Sequence, residues 1–378
     1  MVKAKGASPL YTGWIAALGI AMLAGLFTAY KAFTVGHVIY GATNLLFWTI
    51  PLAAYTFFAL TSTGLAFVAS IPLVFGIERY EPVAKRAVFL AIAALIAAFV
   101  SLLLELGSPW NMIKYLTSPN LTSTLWWMGT LYGFYLVFLL ATFWKMHAGQ
   151  ASKALCILAF LFAIAASSML GASIGLTEAR PAFFGAFMPV YFLLTALLGG
   201  LAAIVLVSLA YHHFARGGLP EDQASLYNEL GKMLGLVIGI ALLFFAWRTI
   251  VGLSATYPEF VAFEHIVGSW PYHFELWLGL VVPLILMLIP SVRATIIGKV
   301  AASVLVLLGM FAGRIELLLA GQIIPYGPMA VGLPEIVTYT PTIWEWLVVA
   351  FALAALLLLY TLGEQYLKLE AAPKTASK

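Results

Sequence analysis

Four side chains in this sequence have the chemistry to hydrogen-bond or exchange protons in an apolar setting: Glu105, Tyr132, Tyr135 and Tyr55. Glu105 closes an apolar run that begins at Val88, and Leu-Gly-Ser-Pro-Trp110 follows it as a turn. After a short polar segment ending Ser118-Pro-Asn120, a second apolar run carries Trp126, Trp127, Tyr132 and Tyr135. A carboxylate at the mouth of a membrane-length run is costly, and its presence suggests a function. In such surroundings an isolated ionised carboxylate is strongly disfavoured, which suits a group that exchanges protons. Tyr132 and Tyr135 stand three apart and share a helix face, about one turn inside the surface that Glu105 caps. Tyr55 lies about two turns into another span.

A second polar set comprises Arg248, His273, Glu275, Arg314 and Glu316, all within or beside later apolar runs. Buried ions in lipid must be paired, so Glu275 is expected to meet Arg248 or Arg314. Arg314 and Glu316 are two apart and point in different directions. The set reads as a structural clamp, a docking feature or a proton path. Glu178 and Arg180, in the loop before the sixth run, are expected to contribute to a docking surface. Each of these residues also has a plainer reading. Tyrosines near a membrane surface commonly anchor in the aromatic belt, Trp126 and Trp127 above all, and Glu105 would equally sit among headgroups.

The elements that position these side chains follow from composition. The chain is 63% hydrophobic and 9% charged over 378 residues. With a mean hydropathy of +1.03, it is an integral membrane protein. Unbroken apolar runs of about 20 residues indicate an all-α fold and exclude the alternating pattern of an outer-membrane barrel. About ten spans are expected, near 12–34, 46–76, 84–107, 123–146, 153–174, 186–215, 229–255, 271–290, 296–322 and 343–363. The first is read as an uncleaved helix, because its apolar run is too long for a signal peptide. The tail after Gln365 is expected to fray. A single cysteine, Cys156, allows neither an internal disulfide nor a Cys-ligated cluster.

Of 19 Lys and Arg residues, 14 fall on the side of the termini and five on the other side or within spans. The positive-inside rule then places both termini in the cytoplasm and Glu105 toward the outer face of the cell membrane. The net charge of +4 is scattered through loops and gives no nucleic-acid-binding face. An internal echo links Pro51-Leu-Ala-Ala-Tyr55 and Thr63-Gly-Leu-Ala66 in span 2 with Pro189-Val-Tyr191 and Gly199-Gly-Leu-Ala202 in span 6. Two four-helix bundles with two peripheral helices are therefore expected. The division runs 1–45 for the first helix and loop, 46–176 and 177–322 for the bundles, and 323–378 for the last loop, helix and tail.

Trp48-Thr-Ile-Pro-Leu-Ala-Ala-Tyr55, Leu104-Glu-Leu-Gly-Ser-Pro-Trp110, Ser123-Thr-Leu-Trp-Trp127 and the stretch from Gly313-Arg314 to Gly321-Gln322 resemble the NrfD family. This is the family of the polysulfide reductase membrane subunit, and the ten-span count resembles its longer branch, which includes subunits of alternative complex III. The family turn after span 3 usually reads Leu-Gly-Arg-Pro; here Ser108 stands in place of the arginine, and some relatives carry histidine where Glu105 stands. The resemblance implies a prokaryotic membrane subunit that binds quinone, menaquinone or similar, near the outer face. It also implies an iron-sulfur ferredoxin-like partner there, connected to a molybdopterin, hydrogenase or cytochrome subunit. Such a subunit is not catalytic alone and holds no haem or metal itself; whether it is linked to proton translocation is left open by the resemblance.

A di-haem cytochrome needs paired histidines within spans. The six histidines, His37, His147, His212, His213, His265 and His273, fall nearly all in loops or at span ends. A secondary transporter with a parallel repeat is the stronger alternative, but transporters place polar groups at the midplane, whereas the ionisable groups here gather toward one face.

Overall fold

The computed structural model describes residues 9–178, 180, 182–183, 185–254, 261–325 and 330–370, and every regular element among them is helical. Ten helices are long and apolar enough to cross a membrane. They are α1 (Pro9–Val35), α2 (Ile50–Leu73), α3 (Glu81–Glu105), α4 (Thr124–His147), α5 (Lys153–Gly175), α6 (Met188–Arg216), α7 (Glu221–Ser254), α8 (Trp270–Leu288), α9 (Ile296–Ala320) and α10 (Ile343–Tyr366). Local chemistry sets several ends. Ser123 caps α4 by accepting the Trp126 N–H, and Thr295 caps α9 by accepting the Gly298 N–H at 2.9 Å. Gly217, at φ 77°, supplies the left-handed residue that ends α6. The seventh span starts earlier than the expected 229, because Glu221 and Asp222 in its first turn complement the helix N-terminus and extend it.

Contacts between helices close two four-membered rings. In the first, α2 packs on α3, α3 on α4, α4 on α5 and α5 back on α2; in the second, α6, α7, α8 and α9 do the same. The rings join through α2 with α6, α5 with α6 and α2 with α9, while α10 leans on α3 and α1 on α10. Burial follows this order. In α2, 83% of the most apolar window is buried, against 11% in α1. Two four-helix bundles with two peripheral helices therefore describe the molecule.

The joint between the bundles is made of glycine. A Cβ on Gly64 would overlap the Ala196 carbonyl and the Gly200 backbone, and a Cβ on Gly200 would overlap the Gly64 backbone. Gly64 and Gly200 hold the same place in the echoed motifs, so equivalent residues touch each other, as across a two-fold axis. Tyr191 follows Tyr55 by 136 residues, the same interval that separates Gly64 from Gly200.

The start of α1 and the end of α10 lie together at one end of the molecule, where the Tyr11 hydroxyl donates to Gln365 Oε1 at 2.7 Å and Trp14 Nε1 to Thr361 Oγ1 at 3.1 Å. The expectation that the chain frays after Gln365 is corrected there for residues 366–370 only. Through Glu370 the chain is packed: Leu369 is buried, and Lys85 Nζ donates to the carbonyls of Leu367 and Lys368 at 3.1 Å. Arg86, itself buried, binds Glu364 at 2.5 Å, and Glu370 meets Arg216. Buried cations at the starts of helices need partners, and the chain beyond α10 supplies them. Residues 371–378 lie outside the described residues.

Candidate functional site at the Glu105 end

At the opposite end of the molecule, three distant segments converge on the start of α2. A helix N-terminus leaves several N–H groups without intrahelical partners. Here Phe47 and Trp48 donate to Gln322 Oε1 at 3.1 and 2.9 Å, Thr49 to Glu105 Oε1 at 2.8 Å, and Ile50 to the Tyr339 hydroxyl at 3.1 Å. The Thr49 hydroxyl also donates to Glu105 Oε2 at 2.5 Å. Glu105 thus ends α3 and caps α2 at once, where the partial positive charge of the helix favours an anion. Such a cap is worth about 1 kcal/mol.

Tyr339, on the loop before α10, donates its own proton to Glu345 in the first turn of α10. Glu345 is fully buried and accepts the Gly41 N–H at 2.5 Å. Burial first, then the hydrogen bond and charge of Glu345, push the Tyr339 phenol above its ordinary range and keep it a neutral donor. Glu105 and Glu345 lie within electrostatic reach of each other and of Tyr40, whose hydroxyl donates to the Leu104 carbonyl at 3.1 Å. Beside this network α2 and α9 meet along a closed seam with no room for a water molecule. Trp48, Thr49, Ile50 and Ala53 line one wall, Ile315, Leu318 and Leu319 the other, with Tyr339 at the polar end.

Deeper in the first bundle the three phenols come together. The Tyr55 and Tyr132 rings are 6.5 Å apart and those of Tyr132 and Tyr135 6.3 Å, all edge to face. Their hydroxyls differ. Tyr135 donates to the Ser62 carbonyl at 2.9 Å and lies 3.1 Å from the Ser62 hydroxyl, which itself donates to the Ala91 carbonyl. Tyr55 has only the weak Met128 sulfur at 3.8 Å. The Tyr132 hydroxyl is buried and has no hydrogen-bond partner among the described residues, and Arg314 lies within electrostatic reach of it. An orphaned buried hydroxyl is where a ligand or an internal water would bind.

The second polar set sits inside the other bundle, arranged differently from expectation. Arg248 pairs with Glu316 at 2.6 Å, not with Glu275, because Glu275 faces α6, where it accepts from the Tyr191 hydroxyl at 3.3 Å. Arg314 donates to the Thr195 hydroxyl and stacks over Phe192 at 4.7 Å. Glu275 and Gly313 are in contact, so any side chain at 313 would displace the carboxylate. His273 is exposed and stands apart from the set. Its neighbour Glu275 turns inward at a π-helical stretch, Phe274–Val281, which re-aims successive side chains. Glu178 is exposed, whereas Arg180 donates to the Ile324 carbonyl at 3.0 Å and so braces the chain after α9. Trp126 and Trp127 donate their indole N–H groups to the carbonyls of Tyr115 and Leu121 at 2.9 Å, fastening the loop before α4. Among the described residues, no cluster of three His, Cys, Asp or Glu side chains is placed to hold a metal ion.

Glu345, Tyr339, Thr49, Gln322 and Thr195 do not stand out as site residues in the sequence. Glu345 does carry a readable signal: it is a carboxylate in the first turn of an apolar run between Trp344 and Trp346, the same cost argument that singles out Glu105. Tyr191 is legible through the repeat.

The family profile described as "Polysulphide reductase, NrfD" matches residues 38–326. The chain is 26% identical over 370 residues to the Hdr-like menaquinol oxidoreductase integral membrane subunit of Archaeoglobus fulgidus, covering 92% of this chain and 91% of that protein. It is 24% identical over 407 residues to a selenate reductase subunit of Mesobacillus selenatarsenatis, covering 92% of each.

Proposed function

The chain belongs to the NrfD family, and from that premise we propose that it is the quinone-interacting membrane subunit of a respiratory redox complex. In this reading it exchanges electrons with a docked iron-sulfur subunit, which serves a molybdopterin or other catalytic subunit. A menaquinone-type substrate is favoured by the similarity to a menaquinol oxidoreductase subunit. The observation that carries the reading is the Glu105 end itself, where a carboxylate joined to the α2 cap stands above three buried phenols in an apolar bundle. Quinol oxidation releases two protons with two electrons, so the protein must offer hydrogen-bonding groups that take protons while excluding bulk water. Glu105 is the relay, with Tyr132, Tyr135 and Tyr55 forming the wall beneath it. Glu178 and the neighbouring loops contribute to the partner's docking surface.

The charge bias of the loops supports a cytoplasmic-membrane orientation with both termini inside and Glu105 outward. Linkage to proton translocation belongs to the same proposal. The buried atoms without partners in the second bundle, among them Glu275 Oε2, Glu316 Oε1 and Arg314 Nη1, support internal water there. The test is purification of the chain with its natural partners and identification of their cofactors. An iron-sulfur subunit together with extractable quinone is the expected result. A homogeneous complex without redox partners, whose vesicles take up a solute with an ion, would replace this reading with the transporter.

A further inference from the structure

Helices α1 and α10 run antiparallel and meet closely in the half toward Glu105. A Cβ on Gly25 would overlap the Phe351 ring, and the Phe27 and Trp344 rings lie 5.9 Å apart. Toward the start of α1 and the end of α10 a groove of about 360 Å³ opens between them. Tyr11 and Ile15 stand one turn apart on α1, and Leu358, Leu362, Gln365 and Tyr366 share one face of α10. That spacing sorts the lining by depth: Ile15, Leu358 and Leu362 lie within the spans, whereas Tyr11, Thr12, Gln365 and Tyr366 lie at their ends. The hydrogen bonds from Tyr11 to Gln365 and from Trp14 to Thr361 keep the two helices together where the groove opens. Just beyond it the backbone turns at Lys368, at φ 48°, and Lys85 holds the turn through the carbonyls of Leu367 and Lys368. Lys368 is exposed and forms no ion pair among the described residues; the carboxylates nearest to it in sequence, Glu364 and Glu370, are bound by Arg86 and Arg216.

The groove is aliphatic at depth, lined by hydroxyl and amide groups at the ends of the spans, and has an unpaired cation just outside. That is the polarity of a phospholipid with an anionic headgroup. We propose that the groove seats one acyl chain of such a lipid, with the headgroup phosphate at Lys368. A helix of a partner protein fits less well, because a helix is about 10–12 Å across and needs a trough along the whole span, whereas this groove is about two turns long. The site is independent of the quinone reading. Its consequence is structural. Only 11% of the most apolar window of α1 is buried, and α1 leans mainly on α10, so the lipid is the third member that closes the open end of the pair. Through the Lys368 turn, which leads to Glu370 on Arg216, the bound headgroup also steadies the packing of residues 366–370.

The test uses the purified complete complex in lipid nanodiscs doped with a phosphatidylglycerol that carries a diazirine on one acyl chain. After irradiation, labelling is expected to concentrate on residues 11–15 and 358–366. Unlabelled phosphatidylglycerol is expected to compete about fivefold better than phosphatidylcholine, the effect of one cation at an anionic surface. Lys368→Gln is expected to remove that preference while leaving the label in place. Leu362→Trp, which fills the groove, is expected to abolish the label on residues 11–15. The wild-type competition decides the matter by itself should either variant fail to assemble. Equal competition by the two lipids, an unchanged preference in Lys368→Gln, or label spread evenly along α1 and α10 would overturn the proposal. So would a cross-link from these residues to another polypeptide in place of lipid.

Discussion

Glu105 shows why residue type alone does not reveal residue role. Its placement at the mouth of an apolar run is legible in the sequence, but its ties to Thr49 cross 56 residues and depend on where α2 begins. The phenols are legible as a group and separable only in the structure, because Tyr135 spends its hydroxyl on Ser62 whereas that of Tyr132 finds no partner among the described residues. Tyr132→Phe is therefore expected to lower quinol-dependent turnover at least tenfold in the assembled complex. Tyr135→Phe should instead lower thermal stability, by about 1 kcal/mol for one buried hydrogen bond. Trp127→Phe loses only a loop fastening and should leave turnover near normal. Steady-state rates and melting curves of the three variants check this. In the second bundle, Glu316→Gln leaves the Arg248 cation buried without its counter-charge. A loss of about 3 to 5 kcal/mol is expected, read as reduced yield of assembled complex or a lower melting temperature.

At the scale of elements, spans are readable because apolar length is a property of local sequence, and joints are not because they depend on which helix faces which. The echoed glycines are the exception. A repeat read from Thr63-Gly-Leu-Ala66 and Gly199-Gly-Leu-Ala202 becomes in space a contact between its two copies. Gly64→Val places methyl groups against the Ala196 carbonyl and should separate the bundles. About 1 to 3 kcal/mol of overpacking is expected, measured as a lower melting temperature of the purified complex, with Gly133→Val, where a Cβ meets open space, as the control. The π-helical stretch of α8 has no signal in periodicity, since a single wide turn disturbs the pattern less than the scatter of apolar residues does. That hidden turn is why the pairing of Glu275 does not follow from spacing.

For the whole molecule, the proposed orientation rests on the charge bias of the loops. Gly332, in the loop before α10, lies at the Glu105 end and is exposed, whereas Cys156 is buried. A Gly332→Cys variant in intact cells is expected to react with a membrane-impermeant maleimide added outside, with Cys156 giving little background. Labelling only after cell rupture would invert the orientation. The packing of residues 366–370 escapes a reading of the sequence because a short polar stretch after an apolar run resembles a frayed end. Its order comes from Lys85, Arg86 and Arg216 on other helices, which no local pattern reveals.

In the proposed function, quinone chemistry passes through the Glu105 end of this chain. Reduction of the partner's iron-sulfur centres on adding 2-methyl-1,4-naphthoquinol to the purified complex, followed by electron paramagnetic resonance, measures that passage without further steps. Wild type is compared with Glu105→Gln at equal assembly. Prompt reduction is expected in wild type and a rate at least tenfold lower in Glu105→Gln, with dithionite reducing both alike. Equal naphthoquinol-driven rates in the two complexes would contradict the assignment of Glu105 as the relay.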